Sequence, residues 1–288
     1  MNLTEINLTD ISNMKEELTI ADLRILRSLF YLSRDSNGET SHMKQHNNGQ
    51  DAPDFLKSDK LINYVNQMLN ESGIELPWTF SKEQCQKFWM SLTNDPNSSC
   101  NNGPVTYASK SDKIVNFMAE FWSPLVKYGD EILELGCNCG ANLNFLLKSG
   151  YKHLNGIEIN PNAIEQMKKS FNKLAGIVKV NLGSLEQTLP NTKSKSIDVL
   201  FTMAVLFHIH PTSNFIFSDM VRIARKYICV IEDESVNCAY IFPRNYRRVF
   251  EKLGCTQIKS AELVKDDRYN LGLEYHGYTA RLFRVPEQ

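Results

Sequence analysis

Glu131-Ile-Leu-Glu-Leu-Gly-Cys-Asn-Cys-Gly140 runs directly into Ala141-Asn-Leu-Asn-Phe-Leu-Leu147. The apolar positions of 131–135 read as a short buried strand, 136–140 as a glycine loop, and the run from Ala141 as a helix. A strand that turns through glycine into a helix start makes half of a nucleotide-type site. Glycine lets the backbone approach a ligand, and the helix N-terminus presents unpaired N–H groups. The next strand, His153-Leu-Asn-Gly-Ile-Glu-Ile159, brings Glu158 to its end, 22 positions after Gly136. That fits the roughly 20-residue offset at which an acidic side chain meets ribose hydroxyls.

Further along, strand and helix patterns alternate. Pro161 starts a helix over Asn162–Leu174, in the first-turn position proline favours. Strands follow at Ile177–Leu182, at the almost wholly apolar Ile197–Thr202, and at Tyr227–Asp233. Helices are expected over Ser213–Ala224 and Pro243–Leu253, the latter stopped by Gly254. Thr256–Val264 and Tyr275–Val285 suit a closing antiparallel pair. The fold class is therefore α/β: a Rossmann-like seven-stranded mostly parallel sheet with helices on both faces, plus an N-terminal helical extension. Ligands bind such sheets at the C-terminal ends of the strands.

The extension is assigned to residues 1–103 and the main domain to 104–288. Leu18–Phe30 carries an apolar helical face. Residues 35–53 are polar and rich in Asn, Gly and Ser, as a linker is, and their His42 and His46 read as surface histidines. Leu61–Leu69 forms a helical stripe ending before Gly73. Ser81 caps the next helix, with Cys85, Phe88, Trp89 and Leu92 as its apolar side. A second polar run spans 94–104, and Lys113–Trp122 is amphipathic. These helices are either a lid over the site or a cover for a sheet edge.

The chain has 288 residues, 42% of them hydrophobic and 23% charged, with a net charge of -1. This suits a globular protein and argues against a nucleic-acid partner, which needs a basic field. No apolar run is long enough for a membrane span, and the N-terminus lacks a basic-then-apolar leader. Seven scattered cysteines read as reduced thiols in a cytoplasmic protein.

Glu134-x-Gly136-x-Asn138-x-Gly140 lacks the G-x-G-x-x-G of dinucleotide folds. It resembles the first motif of class I methyltransferases that use S-adenosylmethionine (SAM), in its L-G-C-N-x-G-x-N-L form. Gly156-Ile-Glu-Ile-Asn-Pro161 resembles the second motif. Met203-Ala-Val-Leu-Phe-His-Ile-His-Pro211 resembles the segment after strand four of small-molecule methyltransferases. Phe88-Trp89 and Pro104-x-x-Tyr107 are like the entrance of methylases of sugar and capsule pathways. The resemblance covers about 104–285 and implies SAM as cofactor, with a small-molecule or glycan-precursor acceptor methylated on oxygen or nitrogen. It implies that Gly136–Gly140, including Cys137 and Asn138, packs on the methionine part of SAM. Glu134 would place the loop and the amino group, Glu158 would accept the ribose hydroxyls, Ile159 would lie on the adenine, and Met203 and Ala204 would line the sulfonium end. Many relatives carry an Asp after strand three. Here Gly183-Ser184-Leu185 stands there, so Ser184 or a backbone group must serve the adenine.

The acceptor side is less determined. His208 follows strand four, where the acceptor would approach the methyl group; it is the candidate catalytic residue, as a general base of ordinary imidazole pKa or as a loop-shaping hydrogen-bond donor. His208-x-His210 is a poor metal pair without a further ligand, so no metal is expected. Tyr107, Glu232 and Arg244 are candidate acceptor-binding residues. Two other readings stay open: a SAM-binding protein without transfer activity, and a protein methyltransferase.

Overall fold

In the computed structural model, residues 59–75, 79–93, 103–109, 113–235, 239–263 and 277–287 are described. The expected helix at 18–30, the stretch 35–53 with its two histidines, and the polar run 94–102 lie outside them.

The sheet has seven strands in the order β3-β2-β1-β4-β5-β7-β6. They are β1 Glu131–Leu135, β2 His153–Glu158, β3 Lys179–Leu182, β4 Ile197–Met203, β5 Ala224–Asp233, β6 Thr256–Glu262 and β7 Tyr278–Arg284. The first five pair in parallel, and β7 inserts antiparallel between β5 and β6. Strand order reverses at β1, which has β2 on one side and β4 on the other, so a crevice opens at their C-terminal ends.

Both sheet faces are covered, and the alternation of side chains sorts residues between two cores. Ile132, Val199, Phe201, Cys229 and Ile231 face one core, with Trp122 and Leu146. Leu133, Leu135, Leu200, Ile228 and Val230 face the other, with Met220 and Tyr246. A strand buried on both faces reads as a continuous apolar run, which is why β4 was conspicuous in the sequence.

The helices are α1 Asp59–Glu71, α2 Lys82–Ser91, α3 Pro104–Ala108, α4 Lys113–Trp122, α5 Ala141–Lys148, α6 Pro161–Ser170, α7 Asn172–Ala175, α8 Leu185–Thr188, α9 Phe215–Ile223 and α10 Tyr246–Lys252. Ser81 caps α2 through a capping box with Gln84. Two helices differ from expectation. The run from Pro161 breaks at Phe171, where φ is -135° and ψ 56°, and the restarted α7 buries Leu174 beneath Gly140. The helix expected from Pro243 begins at Tyr246, because Asn245 accepts from the Arg248 N–H as its N-cap, and Arg244 before it is buried.

The N-terminal helices are tied down by polar side chains. In α1, Gln67 donates to the Glu234 carbonyl at 2.8 Å and Asn70 to that of Pro243 at 2.9 Å, while Glu71 pairs with Arg248. The segment leading into α2 is held where Phe80 N–H donates to the Ala239 carbonyl. Just past its other end, the Leu92 carbonyl accepts from Asn160 at 2.8 Å and Asn162 at 3.1 Å. Helix α2 therefore bridges from the loop after β5 to the loop after β2, across the crevice.

Candidate active site

The crevice is a cleft lined by the loops after β1, β2, β3 and β4 and by one face of α2. Its floor is the loop after β1. In that loop Gly136 (φ 67°), Asn138 (φ 47°) and Gly140 (φ 76°) are all left-handed, which coils the chain tightly into α5. The two glycines serve different ends. A Cβ on Gly136 would sit 2.6 Å from a methyl of Val205, in the loop after β4, whereas one on Gly140 would sit 2.6 Å from Met167 and 2.8 Å from Leu174. Gly136 therefore keeps the cleft floor thin, and Gly140 lets α6 and α7 pack close beneath.

Glu158 faces the cleft from the end of β2. Its two oxygens accept the N–H groups of Asn138 at 2.7 Å and Asn160 at 2.8 Å, which fixes the carboxylate and the glycine loop together. Burial raises its pKa, and these backbone donors oppose that shift. Each oxygen keeps a second lone pair, enough for a diol. Glu134 lies behind the loop, buried. Asn142 donates to its Oε1 at 2.7 Å, and its Oε2 has no partner among the described residues. Burial pushes its pKa well up. A buried oxygen lacking a donor and a glycine floor without Cβ atoms fit a cofactor bringing an ammonium group and a ribose.

Ile159, Ser184, Met203, Ala204, Tyr107 and His208 also line the cleft, so it gathers most of the residues singled out in the sequence. The Ser184 hydroxyl accepts from the Gln187 N–H as the N-cap of α8. Ala204 is left-handed at φ 56°, its N–H bonded to the Ile231 carbonyl at 2.9 Å.

Five predicted residues stand apart from the lining: Glu134 behind the loop, and Cys137, Gly140, Glu232 and Arg244. Cys137 and Gly140 are in the loop's underside. The Cys137 thiol is buried against Gly156, and burial raises its pKa well above the ordinary value; Cys139 is pushed up to about 12, so both thiols stay protonated. Glu232 and Arg244 are both fully buried beneath the β4 loop. Glu232 accepts from the N–H groups of Val205, Leu206 and Phe207 and from the Thr202 hydroxyl. Arg244 donates to the carbonyls of Leu206, Phe242 and Ile209 and to Asn214. The expectation that these two charges meet the acceptor is corrected: their polar atoms are already spent on shaping the loop that carries His208.

Burial raises the Glu232 pKa to about 8, against its four donors. A carboxyl raised in the folded state binds a proton there that the unfolded chain releases above about pH 4.3. Its contribution to stability therefore declines as pH rises from there to about 8. Glu232→Gln should flatten that part of a stability–pH curve measured by chemical denaturation. Glu232→Ala, which strands three buried N–H groups, should cost about 3–5 kcal/mol.

His208 is held by ring contacts and one hydrogen bond. Its centroid lies 4.3 Å from Trp89 and 4.1 Å from Phe207, and Nδ1 is 3.3 Å from the Tyr240 carbonyl, so Nδ1 carries the proton. Burial lowers its pKa to about 3, so the ring is neutral at ordinary pH, not an imidazole of ordinary pKa. Nε2 is then an acceptor. His210 bonds Thr212 at 2.8 Å through Nδ1.

One wall was foreseen only in part, as a lid with an entrance at Phe88-Trp89. Helix α2 turns Lys82, Cys85, Gln86 and Trp89 to the cleft, the i, i+3, i+4, i+7 face of a helix. The apolar-side reading caught Cys85 and Trp89 but not Lys82 and Gln86. The signal was there in a polar pair sharing the spacing of an apolar stripe.

Residues 132–226 match a family model described as a methyltransferase domain. Among solved structures, the chain is similar to geranyl diphosphate C-methyltransferase from Streptomyces coelicolor A3(2), in complex with Mg2+, geranyl diphosphate and S-adenosyl-L-homocysteine. The identity is 10% and the TM-score 0.51, over 73% of this chain and 99% of that one. It is also similar to geranyl diphosphate methyltransferase in complex with GPP and sinefungin, with 11% identity and a TM-score of 0.50, over 73% of this chain and 100% of that one. At such identities the likeness shows the fold. No curated protein matches the sequence. Domain match, strand order and the glycine-loop motif together mark residues 132–226 as the methyltransferase domain of an enzyme whose cofactor is SAM. Among the described residues no helix is long and apolar enough to cross a membrane.

Proposed function

We propose that the protein methylates an oxygen or nitrogen of a small-molecule or glycan-precursor acceptor. In this reading residues 104–288 form the catalytic domain and 1–103 an extension, of which α2 walls the cleft. The observation that carries the proposal is the cleft wall formed by α2, which crosses the crevice beside His208 and restricts access to compact acceptors. Bound SAM supplies an electrophilic methyl group and leaves as S-adenosylhomocysteine. Gly136 and Asn138 seat its methionine portion, with Glu134 beneath for the ammonium group. Glu158 takes the ribose, Ile159 and Ser184 the adenine, and Met203 and Ala204 the sulfur end. His208 accepts a hydrogen bond from the acceptor's hydroxyl or amine at Nε2 and so aligns the lone pair with the methyl carbon, and the proton freed by methylation is lost to solvent. The buried thiols Cys137, Cys139, Cys229 and Cys255, none of them in a disulfide, support a reducing, cytoplasmic setting.

The test is release of S-adenosylhomocysteine from SAM with a panel of hydroxylated and amino small molecules and nucleotide sugars. Release that depends on one compound class supports the reading. Release that depends only on added protein substrates would replace it with a protein acceptor.

With that acceptor in hand, His208→Ala should lower turnover roughly 10–100-fold with little change in SAM affinity. His208→Asn, which still offers a carbonyl oxygen, should stay within about tenfold of wild type. The wild-type kcat profile should show no ascending limb near pH 6–7, because burial has moved this imidazole down to about 3. A limb there that disappears in His208→Asn would restore the general-base role.

A further inference from the structure

Helix α2 is organised for more than cover. It begins at Lys82, and a lysine at a helix N-terminus opposes the helix dipole. The side chain nevertheless lines the cleft, half-buried, and makes no salt bridge or hydrogen bond among the described residues. Glu83, next to it, faces away to Ser81, which donates to its Oε2 at 3.0 Å. Two turns on, Trp89 also lines the cleft, and its indole N–H is buried without a partner among the described residues. A buried donor lacking an acceptor is costly unless a ligand brings one.

These groups are ordered along the cleft. The Leu92 end of α2 is tied to Asn160, beside Glu158. Trp89 stands against His208. Lys82 is farthest from Glu158, roughly 10 Å along the helix from Trp89 at about 1.5 Å per residue, on the side of His210. The carboxylates lining the cleft, Glu158 and Glu186, belong to the cofactor end with Ser184. The acceptor end has ring walls, Trp89 and His208, and the one cation lining it among the described residues is the Lys82 ammonium, while Glu75, 3.7 Å from His210, and the exposed Glu83 are the anions nearby. Ring walls favour a flat apolar body, and an unpaired half-buried ammonium favours an anion.

We infer that α2 is the specificity element of this enzyme, and that its Lys82–Gln86–Trp89 face selects a small planar acceptor bearing a carboxylate or similar anion, directed to Lys82, with its methylated group at His208. This rests on the methyltransferase reading of the cleft and names the substrate class for it.

The experiment uses the full chain saturated with S-adenosylhomocysteine and two probes of one shape, 4-hydroxybenzoate and 4-hydroxybenzamide, titrated calorimetrically. Cofactor-product binding is measured first; if it fails, the cofactor reading falls and this proposal with it. The acid should bind the loaded protein at least fivefold more tightly than the amide. Lys82→Gln should erase that preference without lowering the thermal midpoint, since it removes an unfavourable charge from the helix start. Trp89→Phe, which keeps a ring but loses the N–H, should weaken both probes. Equal binding of acid and amide, a preference that survives Lys82→Gln, or no saturable binding of either probe overturns the assignment while leaving the cofactor site intact.

Discussion

Gly136→Val is expected to abolish SAM binding in a protein whose sheet still folds. Two independent obstacles meet at this position. Its φ of 67° lies in the left-handed region, where a β-branched side chain is strained, and its Cβ would sit 2.6 Å and 2.9 Å from the two methyls of Val205. Val205 cannot easily withdraw, because its N–H is held by Glu232 at 3.0 Å. The valine methyls must therefore either displace the β4 loop or fill the cleft floor. Calorimetry should register at least a 1,000-fold loss, about 4 kcal/mol. Far-UV circular dichroism should stay near wild type, since Gly136 lies past the end of β1. Gly140→Val makes the contrast: its Cβ meets the α6–α7 underside, so it should lower the melting temperature first. Tight SAM binding by Gly136→Val would show that the floor is not where the cofactor lies.

Glu158→Ala should cost about 2–4 kcal/mol of SAM affinity, roughly 30- to 1,000-fold. Part of that loss has nothing to do with ribose, because the same carboxylate holds the N–H groups of Asn138 and Asn160. The two effects separate with a 2′-deoxy analogue of S-adenosylhomocysteine. Wild type should prefer the natural ligand by about tenfold or more, the worth of a charge-assisted hydrogen bond, and Glu158→Ala should bind the two alike. An equal preference in both proteins would make Glu158 a loop clamp alone.

The parallel half of the sheet was legible because parallel strands are buried on both faces and leave apolar runs, as at 197–203. The glycine loop and Glu158, which the structure brings to one cleft, were legible for a related reason. A left-handed turn restricts residue choice, and an acid at a strand end stands out against apolar neighbours. The acceptor end was not. Glu232 and Arg244 sit in the sequence as charges near the ligand-facing edge, and nothing local reveals that both are buried under the 205–209 loop. His208 shows the same limit: only packing against Trp89, 119 positions earlier, decides that its imidazole is desolvated and neutral. Lys82 and Gln86 were hidden because the role of α2 depends on tertiary anchors at Ala239 and Asn160.

SAM should bind, and present its methyl group, in the cleft between the β1 loop, the β4 loop and α2. A crystal structure of the complex with S-adenosylhomocysteine decides this. It should show ribose hydroxyls on Glu158, adenine beside Ile159 and Ser184, and the sulfur near Met203 and Ala204 with its open side toward His208 and Trp89. A ligand bound outside this cleft, or one whose sulfur is shut off from His208 and α2, would contradict this assignment.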